Sequence, residues 1–162
     1  MGYSVAATLG TRPRMRAMPD ASTGFERVRL ANHIGALDGA LLVTDRFARV
    51  VGLDAHDARI LRLVVEELVT NSITHGGAPP DAPIDLSLGV TAGAVLVECI
   101  DRGRPFDPNR DVPPASLDGG ADGRPVGGLG WALIRHHCPC VEYRRDGHEN
   151  HVRLLCRLPS TV

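Results

Sequence analysis

Apolar residues recur along this chain with two periods, one typical of strands and one typical of helices. Residues 25–31 alternate between apolar and polar side chains, which predicts a strand. Residues 34–51 repeat apolar side chains at helical spacing, and Gly52 is a favourable residue for ending that helix. Asp54 is a good N-cap for a second helix, which we expect to run to about residue 75. The stripe that this second helix should bury comprises Ile60, Leu61, Val64, Val65, Leu68, Val69 and Ile73.

The second half of the chain is predicted to contain two hairpins. Residues 84–101 alternate on both sides of a turn at 91–94, which predicts the first hairpin. The connection over residues 102–130 is rich in Gly, Pro and Asp, and loops of that length are commonly lids or binding loops. We expect a helix over about residues 128–137 and a last hairpin over residues 141–158.

Strands and helices are segregated along the chain, which is typical of an α+β fold. We expect a two-layer sandwich, in which a mostly antiparallel mixed sheet of about five strands carries about three helices on one face. A length of 162 residues corresponds to one domain. Residues 1–22 show no sustained period, so we assign them to a flexible N-terminal extension and residues 23–160 to the domain.

The basic residues restrict the possible chemistry, because all 18 of them are Arg and none is Lys. A phosphate-binding loop of the GxxxxGK[ST] type and a typical protein kinase both need a lysine. A Schiff-base enzyme needs one as well. Codon usage in a GC-rich genome is the simpler origin of this absence, but the exclusions hold in either case. Nucleotide chemistry in this chain must therefore rely on backbone amides, a metal ion and Arg.

Charge and cysteine usage exclude further classes. A net charge of −1 argues against nucleic acid or an anionic membrane as a partner. No apolar run approaches the ~20 residues of a membrane helix, and residues 1–10 lack the basic start of a secretory signal. We therefore expect a cytoplasmic protein with reduced cysteines. Residues 136–140 read His-His-Cys-Pro-Cys, but this spacing is not that of structural zinc, so we expect packed thiols there.

Three polar residues, Glu67, Asn71 and His75, are spaced four apart and form one stripe along the second helix. A carboxylate and an amide carbonyl in that position can bind Mg²⁺ or supply a general base, although a structural role explains this pair equally well on its own. Glu66 lies one position round the helix, where Arg62 offers it a solvated ion pair.

Two further motifs carry candidate chemistry. Asp101 ends a predicted strand, where its carboxylate can accept a hydrogen bond from an adenine amino group. Gly103 would let the backbone pass close to a flat base, and a simple turn explains both residues as well. Glycines also open the next predicted helix, where free amides at the positive end suit a phosphate. That motif consists of Gly127, Gly128, Leu129 and Gly130.

The order of these motifs is more specific than any one of them. A helix with ExxxN, a strand end with DxGxxFD, a long connection and a GGLG helix start together resemble the histidine-kinase-like ATPase superfamily, which has the Bergerat nucleotide-binding fold. The resemblance spans about residues 25–159 and is closest to the anti-sigma-factor serine kinases of the RsbW and SpoIIAB type. Sensor kinases usually have DxGxG, whereas residues 105–107 here read Pro-Phe-Asp, which favours the anti-sigma branch.

The resemblance implies ATP and Mg²⁺ as cofactors and assigns roles by motif. Glu67 would be the general base and Asn71 the Mg²⁺ ligand. Asp101 would bind the adenine beside Gly103, and the glycine motif would bind the phosphates. Arg124 is the candidate lid cation near the γ-phosphate.

One position departs from the family pattern. The family often has Thr near the start of the last strand, where it helps the aspartate to bind adenine. This chain has Asn150 there, and we expect Asn150 to substitute for it.

We therefore expect an ATP-dependent protein serine/threonine kinase that acts as an anti-sigma factor. By resemblance it would sequester a sigma factor, phosphorylate a STAS-domain anti-anti-sigma protein and form a homodimer. One alternative is a nucleotide-binding interaction module with little or no kinase activity. Another is a detached catalytic domain of a sensor kinase, which would phosphorylate a histidine.

Overall fold

The computed structural model describes residues 25–91, 93–112 and 128–158. In chain order the elements are β1 Phe25–Leu30, a 3-10 turn Ile34–Ala36, α1 Leu37–Val50, α2 Ala55–His75, β2 Ile84–Thr91, β3 Ala94–Asp101, α3 Pro108–Asp111, α4 Gly128–His137, β4 Cys140–Asp146 and β5 Glu149–Cys156. The predicted N-terminal extension lies outside these ranges. None of the helices within them has the length and apolar character that crossing a bilayer requires.

The five described strands form one sheet in the order β1-β2-β3-β5-β4. All four pairings are antiparallel, so the predicted α+β sandwich is confirmed, but the sheet is antiparallel where we expected a mixed one. The reason is that β1 pairs with β2 in opposite directions although two helices separate them, and no parallel crossover arises. Because β5 lies between β3 and β4, the end of β3 faces the start of β5.

One face of the sheet carries the hydrophobic core. Leu88, Val97 and Leu154 lie opposite one another in neighbouring strands, and each is 0% exposed. The same apolar cluster includes Val64 of α2 and Ile134 of α4. Burial of this apolar surface is the main stabilising contribution to the domain and holds the helices on the sheet.

Local signals determine where the first two helices end and begin. Asp54 caps α2, since its Oδ1 accepts a hydrogen bond from the Asp57 backbone N at 2.8 Å. Gly52, which follows α1, has a φ of +74°, a conformation that favours glycine. The predicted stripe of α2 is buried as far as Val69, while Ile73 is half-buried against the core.

Two cysteines that we expected to be packed thiols form a disulfide. Cys138, directly after α4, is bonded to Cys156 at the end of β5. The prediction of reduced thiols is wrong for this pair, because their proximity depends on how α4 packs and the sequence spacing does not reveal it. Cys99 and Cys140 are free thiols. Within the described ranges no group of three or more His, Cys, Asp or Glu side chains is placed to hold a metal ion.

Candidate functional site

Asp101, the last residue of β3, is at the centre of a hydrogen-bonded cluster. Its Oδ1 accepts from the Gly103 backbone N and from Asn150 Nδ2, both at 2.8 Å. Its Oδ2 accepts a longer bond from Ser72 Oγ of α2, at 3.3 Å. A carboxylate has about four acceptor positions, so Oδ2 can still accept a further donor. The side chain is therefore fixed through one oxygen and available through the other.

Asn150 lies directly opposite Asp101 in the sheet and is only 3% exposed. Its Nδ2 also donates to the Arg104 carbonyl at 2.9 Å. Its Oδ1 accepts from Tyr143 Oη at 2.9 Å and from the Arg145 guanidinium at 2.8 Å. All the polar positions of this amide are thus engaged, and Asn150 has one orientation.

Gly103 brings the turn after β3 against the end of α2. A Cβ on Gly103 would lie 2.6 Å from the Gly76 carbonyl oxygen and 2.8 Å from its Cα. The Arg104 backbone N donates to that same carbonyl at 2.8 Å. We expected this glycine to clear space for a flat base; what the structure shows is a backbone-to-backbone contact that only glycine permits.

Glu67 on α2 lies against the first turn of α4. A Cβ built on Gly130 would overlap with Glu67 Oε2 and lie 2.9 Å from its Cδ. The carboxylate therefore occupies the space that the missing side chain of Gly130 leaves. The backbone at Gly128 and Leu129, which begins α4, is directly adjacent in sequence.

Asn71 lies one turn further along α2 from Glu67, on the same face. Its Nδ2 is buried and has no hydrogen-bond partner among the described residues. The O and N of a side-chain amide are assigned from their hydrogen bonds. Exchanging the O and N of Asn71 would therefore lose no hydrogen bond to the described residues. An amide oxygen near a carboxylate is a donor set that suits Mg²⁺. The donor types of these two residues thus fit a magnesium ion.

The neighbouring charged residues of α2 are arranged differently from our expectation. Arg62 pairs with Asp45 of α1 at 2.6 Å, and Glu66, the partner we predicted, makes no ion pair in the part of the chain described. An interhelical partner lies closer to Arg62 than the intrahelical one. His75, the third member of the predicted stripe, is exposed.

Two predicted site residues, Arg124 and Gly127, lie outside the described ranges. Two parts of α2 contact other residues of the predicted site. Glu67 contacts Gly130, while Ser72, one residue past Asn71, contacts Asp101. Helix α2 therefore joins the start of α4 to the end of β3.

Sequence reasoning missed three residues of the site, Ser72, Tyr143 and Arg145. The sequence does contain a signal for the last two: they alternate along the last hairpin, so their side chains share one face of β4. Pairing that face with Asn150 needed the strand register, which the sequence does not contain.

The thiol of Cys99 borders the same cluster. Burial is the main cause that raises the pKa of the Cys99 thiol to about 12, and the negative charge of Asp101 contributes to the same increase. The thiol is in contact with Ser72 Oγ at 3.7 Å. Since it stays protonated near neutral pH, it cannot act as a nucleophile and its role is packing.

The fold and the site are typical of one class of protein, small nucleotide-binding domains. Polar groups on α2, β3 and β5 lie beside a helix that begins with glycines. Residues 30–156 match the family model of the histidine kinase-like ATPase domain, and the chain belongs to this family. Among proteins of curated function, none matches the chain in sequence.

Two solved structures are similar to the chain. The RsbU and RsbW domains of Rv1364c from Mycobacterium tuberculosis superpose with a TM-score of 0.60 at 18% identity, over 83% of this chain and 32% of that one. The histidine kinase domain from the Erythrobacter litoralis EL346 blue-light activated histidine kinase gives a TM-score of 0.48 at 18% identity, over 77% of this chain and 62% of that one. The chain thus spans a minor part of the first structure, and its likeness to it concerns the fold alone.

Proposed function

We propose that the protein is an ATP-dependent serine/threonine kinase that acts as an anti-sigma factor. Membership of the histidine kinase-like ATPase family supports ATP as its nucleotide. The observation that carries the kinase proposal is the contact between Glu67 and Gly130. It puts a carboxylate beside the N-terminal end of α4, where backbone amides suit phosphate groups and where a base can reach an attacking hydroxyl.

In this proposal the two ends of ATP bind to different elements. The free acceptor position of Asp101 Oδ2 takes the adenine amino group, and Asn150 keeps Asp101 in place. Backbone amides over residues 127–130 offset the negative charge of the phosphates. Arg124 would add a lid cation there, as the family resemblance implies.

At the phosphate end, Asn71 would hold Mg²⁺ through its amide oxygen. Bound there, Mg²⁺ supplies positive charge to the phosphate oxygens. Glu67 takes the proton of the serine or threonine hydroxyl as that oxygen attacks. Phosphoryl transfer depends mostly on such positioning and charge neutralisation.

The proposed partners are a sigma factor, which the protein sequesters, and a STAS-domain protein, which it phosphorylates. The sequence motifs of the anti-sigma branch support this assignment. Apolar side chains also project from α1 and the turn before it, where Ile34, Leu42 and Val50 are exposed. Such residues suit a partner interface, and a homodimer is part of the same proposal.

The test is transfer from radiolabelled ATP to the STAS-domain protein encoded nearest to this chain. Glu67→Gln should lower the rate by about 10²–10⁴-fold, the contribution of a general base, and leave ATP affinity nearly unchanged. Glu66→Gln is the matched control, since it removes the same charge one position round the helix and should leave the rate at the wild-type value.

Three other outcomes would contradict the assigned base or favour a different function. Equal rates for Glu67→Gln and wild type would contradict the assigned base. ATP binding by the wild type without any transfer would favour the nucleotide-binding interaction module. Acid-labile label on a histidine would favour a sensor-kinase catalytic domain.

A further inference from the structure

Three polar residues form a row across the edge of the sheet. Arg145 of β4 lies directly opposite Asn150 of β5, and Asn150 lies directly opposite Asp101 of β3. One guanidinium nitrogen of Arg145, Nη1, donates to Asn150 Oδ1 and to the Gly103 carbonyl, both at 2.8 Å. The row therefore links the exposed edge strand to the carboxylate at the centre of the site.

Arg145 supports the order of donors and acceptors in this row from its exposed end. A guanidinium only donates, so the atom of Asn150 that faces it must be the oxygen. The nitrogen of Asn150 then faces Asp101 and donates to its Oδ1 at 2.8 Å. Tyr143 Oη supplies a second donor to the same oxygen of Asn150, at 2.9 Å.

Reversing the amide of Asn150 would place its oxygen against two other acceptors, Asp101 Oδ1 and the Arg104 carbonyl. Both of them now accept from its nitrogen. An unpaired buried acceptor is costly, and two facing acceptors repel each other. Without Arg145 only the Tyr143 hydroxyl would remain on the far side, and a hydroxyl can donate or accept. Arg145 on one side, and Asp101 with the Arg104 carbonyl on the other, therefore all favour the same orientation of the Asn150 amide, and loss of Arg145 removes the only donor-only group facing its oxygen.

We propose that Arg145 is a positioning residue that sets the base specificity of the site. It stabilises Asn150 with its nitrogen toward Asp101 and also binds the Gly103 carbonyl, so that the Asp101 carboxylate is held in place and its Oδ2 selects a purine carrying an amino group at C6 over one carrying an oxygen. The inference rests on the proposed function, because it assumes that Asp101 binds the base.

The experiment compares the affinities of the full chain for ATP and for inosine triphosphate, whose base has oxygen in place of the C6 amino group. Arg145→Met keeps much of the side-chain length and removes the donors. We expect it to reduce the ATP preference about tenfold, mainly through weaker ATP binding. Arg145→Lys keeps a donor-only side chain and should retain most of the preference.

Arg144→Met is the matched control. Arg144 precedes Arg145 in β4 and is bonded to Asp146 at 2.6 Å, so its loss should leave the preference unchanged. A preference in Arg145→Met within about twofold of wild type overturns the inference.

Two further variants separate the possible failures. If Asp101→Asn leaves the ATP preference intact, the proposed adenine contact itself is wrong. If Asp101→Asn removes the preference while Arg145→Met does not, only the role of Arg145 is wrong. Should Arg145→Met fail to fold, Arg145→Gln keeps a polar side chain that can accept as well as donate, and it should weaken the preference about threefold; an unchanged preference there contradicts the inference.

Discussion

A glycine at position 130 lets the Glu67 carboxylate lie against the first turn of α4. In Gly130→Ala the new methyl group would overlap with Glu67 Oε2. This atom is the far end of a flexible side chain, so Glu67 can swing away at little cost to stability. We expect the free energy of unfolding of the variant, measured in urea, to lie within about 1 kcal/mol of the wild-type value. We expect its rate of phosphoryl transfer, measured in the labelled-ATP assay, to fall by about 10²-fold or more.

Gly39→Ala is the control for that variant. Gly39 also lies inside a helix, and its Cβ would meet only Leu30 Cδ2 at an ordinary 3.5 Å. It should leave transfer unchanged and stabilise α1 by up to about 1 kcal/mol. Full activity in Gly130→Ala would show that the observed position of Glu67 is not required for the reaction.

The end of α2 is joined to the turn after β3 by a contact between two backbones. In Gly103→Ala the Cβ would lie 2.6 Å from the Gly76 carbonyl oxygen, and neither partner is a side chain that can rotate away. We expect a loss of about 1–3 kcal/mol in the free energy of unfolding, measured in urea, because α2 and β3 must separate. ATP affinity should fall with it, since Gly103 N would move away from Asp101.

Comparing the two substitutions separates packing from catalysis. Gly103→Ala should lower stability and nucleotide affinity together, while Gly130→Ala should lower transfer alone. If Gly103→Ala unfolds at the wild-type urea concentration, the close approach of α2 to the turn does not contribute to stability.

The helices and hairpins could be predicted because their signals are local. The Asp54 cap, the Gly52 terminus and the apolar stripe of α2 each depend on residues a few positions apart, and the structure confirms all three. The disulfide and the pairing of Arg62 with Asp45 depend on contacts between elements. Periodicity contains no information on those contacts, and both were predicted incorrectly.

At the scale of the whole molecule, the site depends on the order of the strands. A sequence motif pointed to Asp101, and only the family resemblance pointed to Asn150. Their direct pairing exists because β5 lies between β3 and β4, an arrangement that the chain order alone does not imply. Arg145 could not be assigned to the site without that order, since its contacts with Asn150 and with the Gly103 carbonyl depend on the position of β4 beside β5.

A network of charges links distant parts of the sheet through Asp85 of β2. Arg29 of β1 donates to Asp85 at 2.7 Å, and Arg102 lies 3.4 Å from Asp85 and 2.6 Å from Glu149. Burial by itself would raise the pKa of Asp85, but the hydrogen bonds and charges of Arg29 and Arg102 outweigh it. The pKa of Asp85 is therefore lowered in the folded state.

The pH dependence of stability follows from the direction of this shift. A carboxyl with a lowered folded-state pKa stabilises the protein above its unfolded-state pKa, about 3.9 for Asp, and loses this contribution as the pH falls through the folded value. Asp85→Asn should thus cost about 1 kcal/mol at neutral pH, a modest value because water screens the exposed Arg29. In urea unfolding series the difference from wild type should shrink as the pH is lowered from about 5 to about 3.

Asp146→Asn breaks an exposed pair with Arg144 and should change stability by less than about 0.5 kcal/mol at either pH. A cost for Asp85→Asn that stays constant down to about pH 3 would show that the charge of Asp85 does not contribute to holding β1, β2 and β5 together.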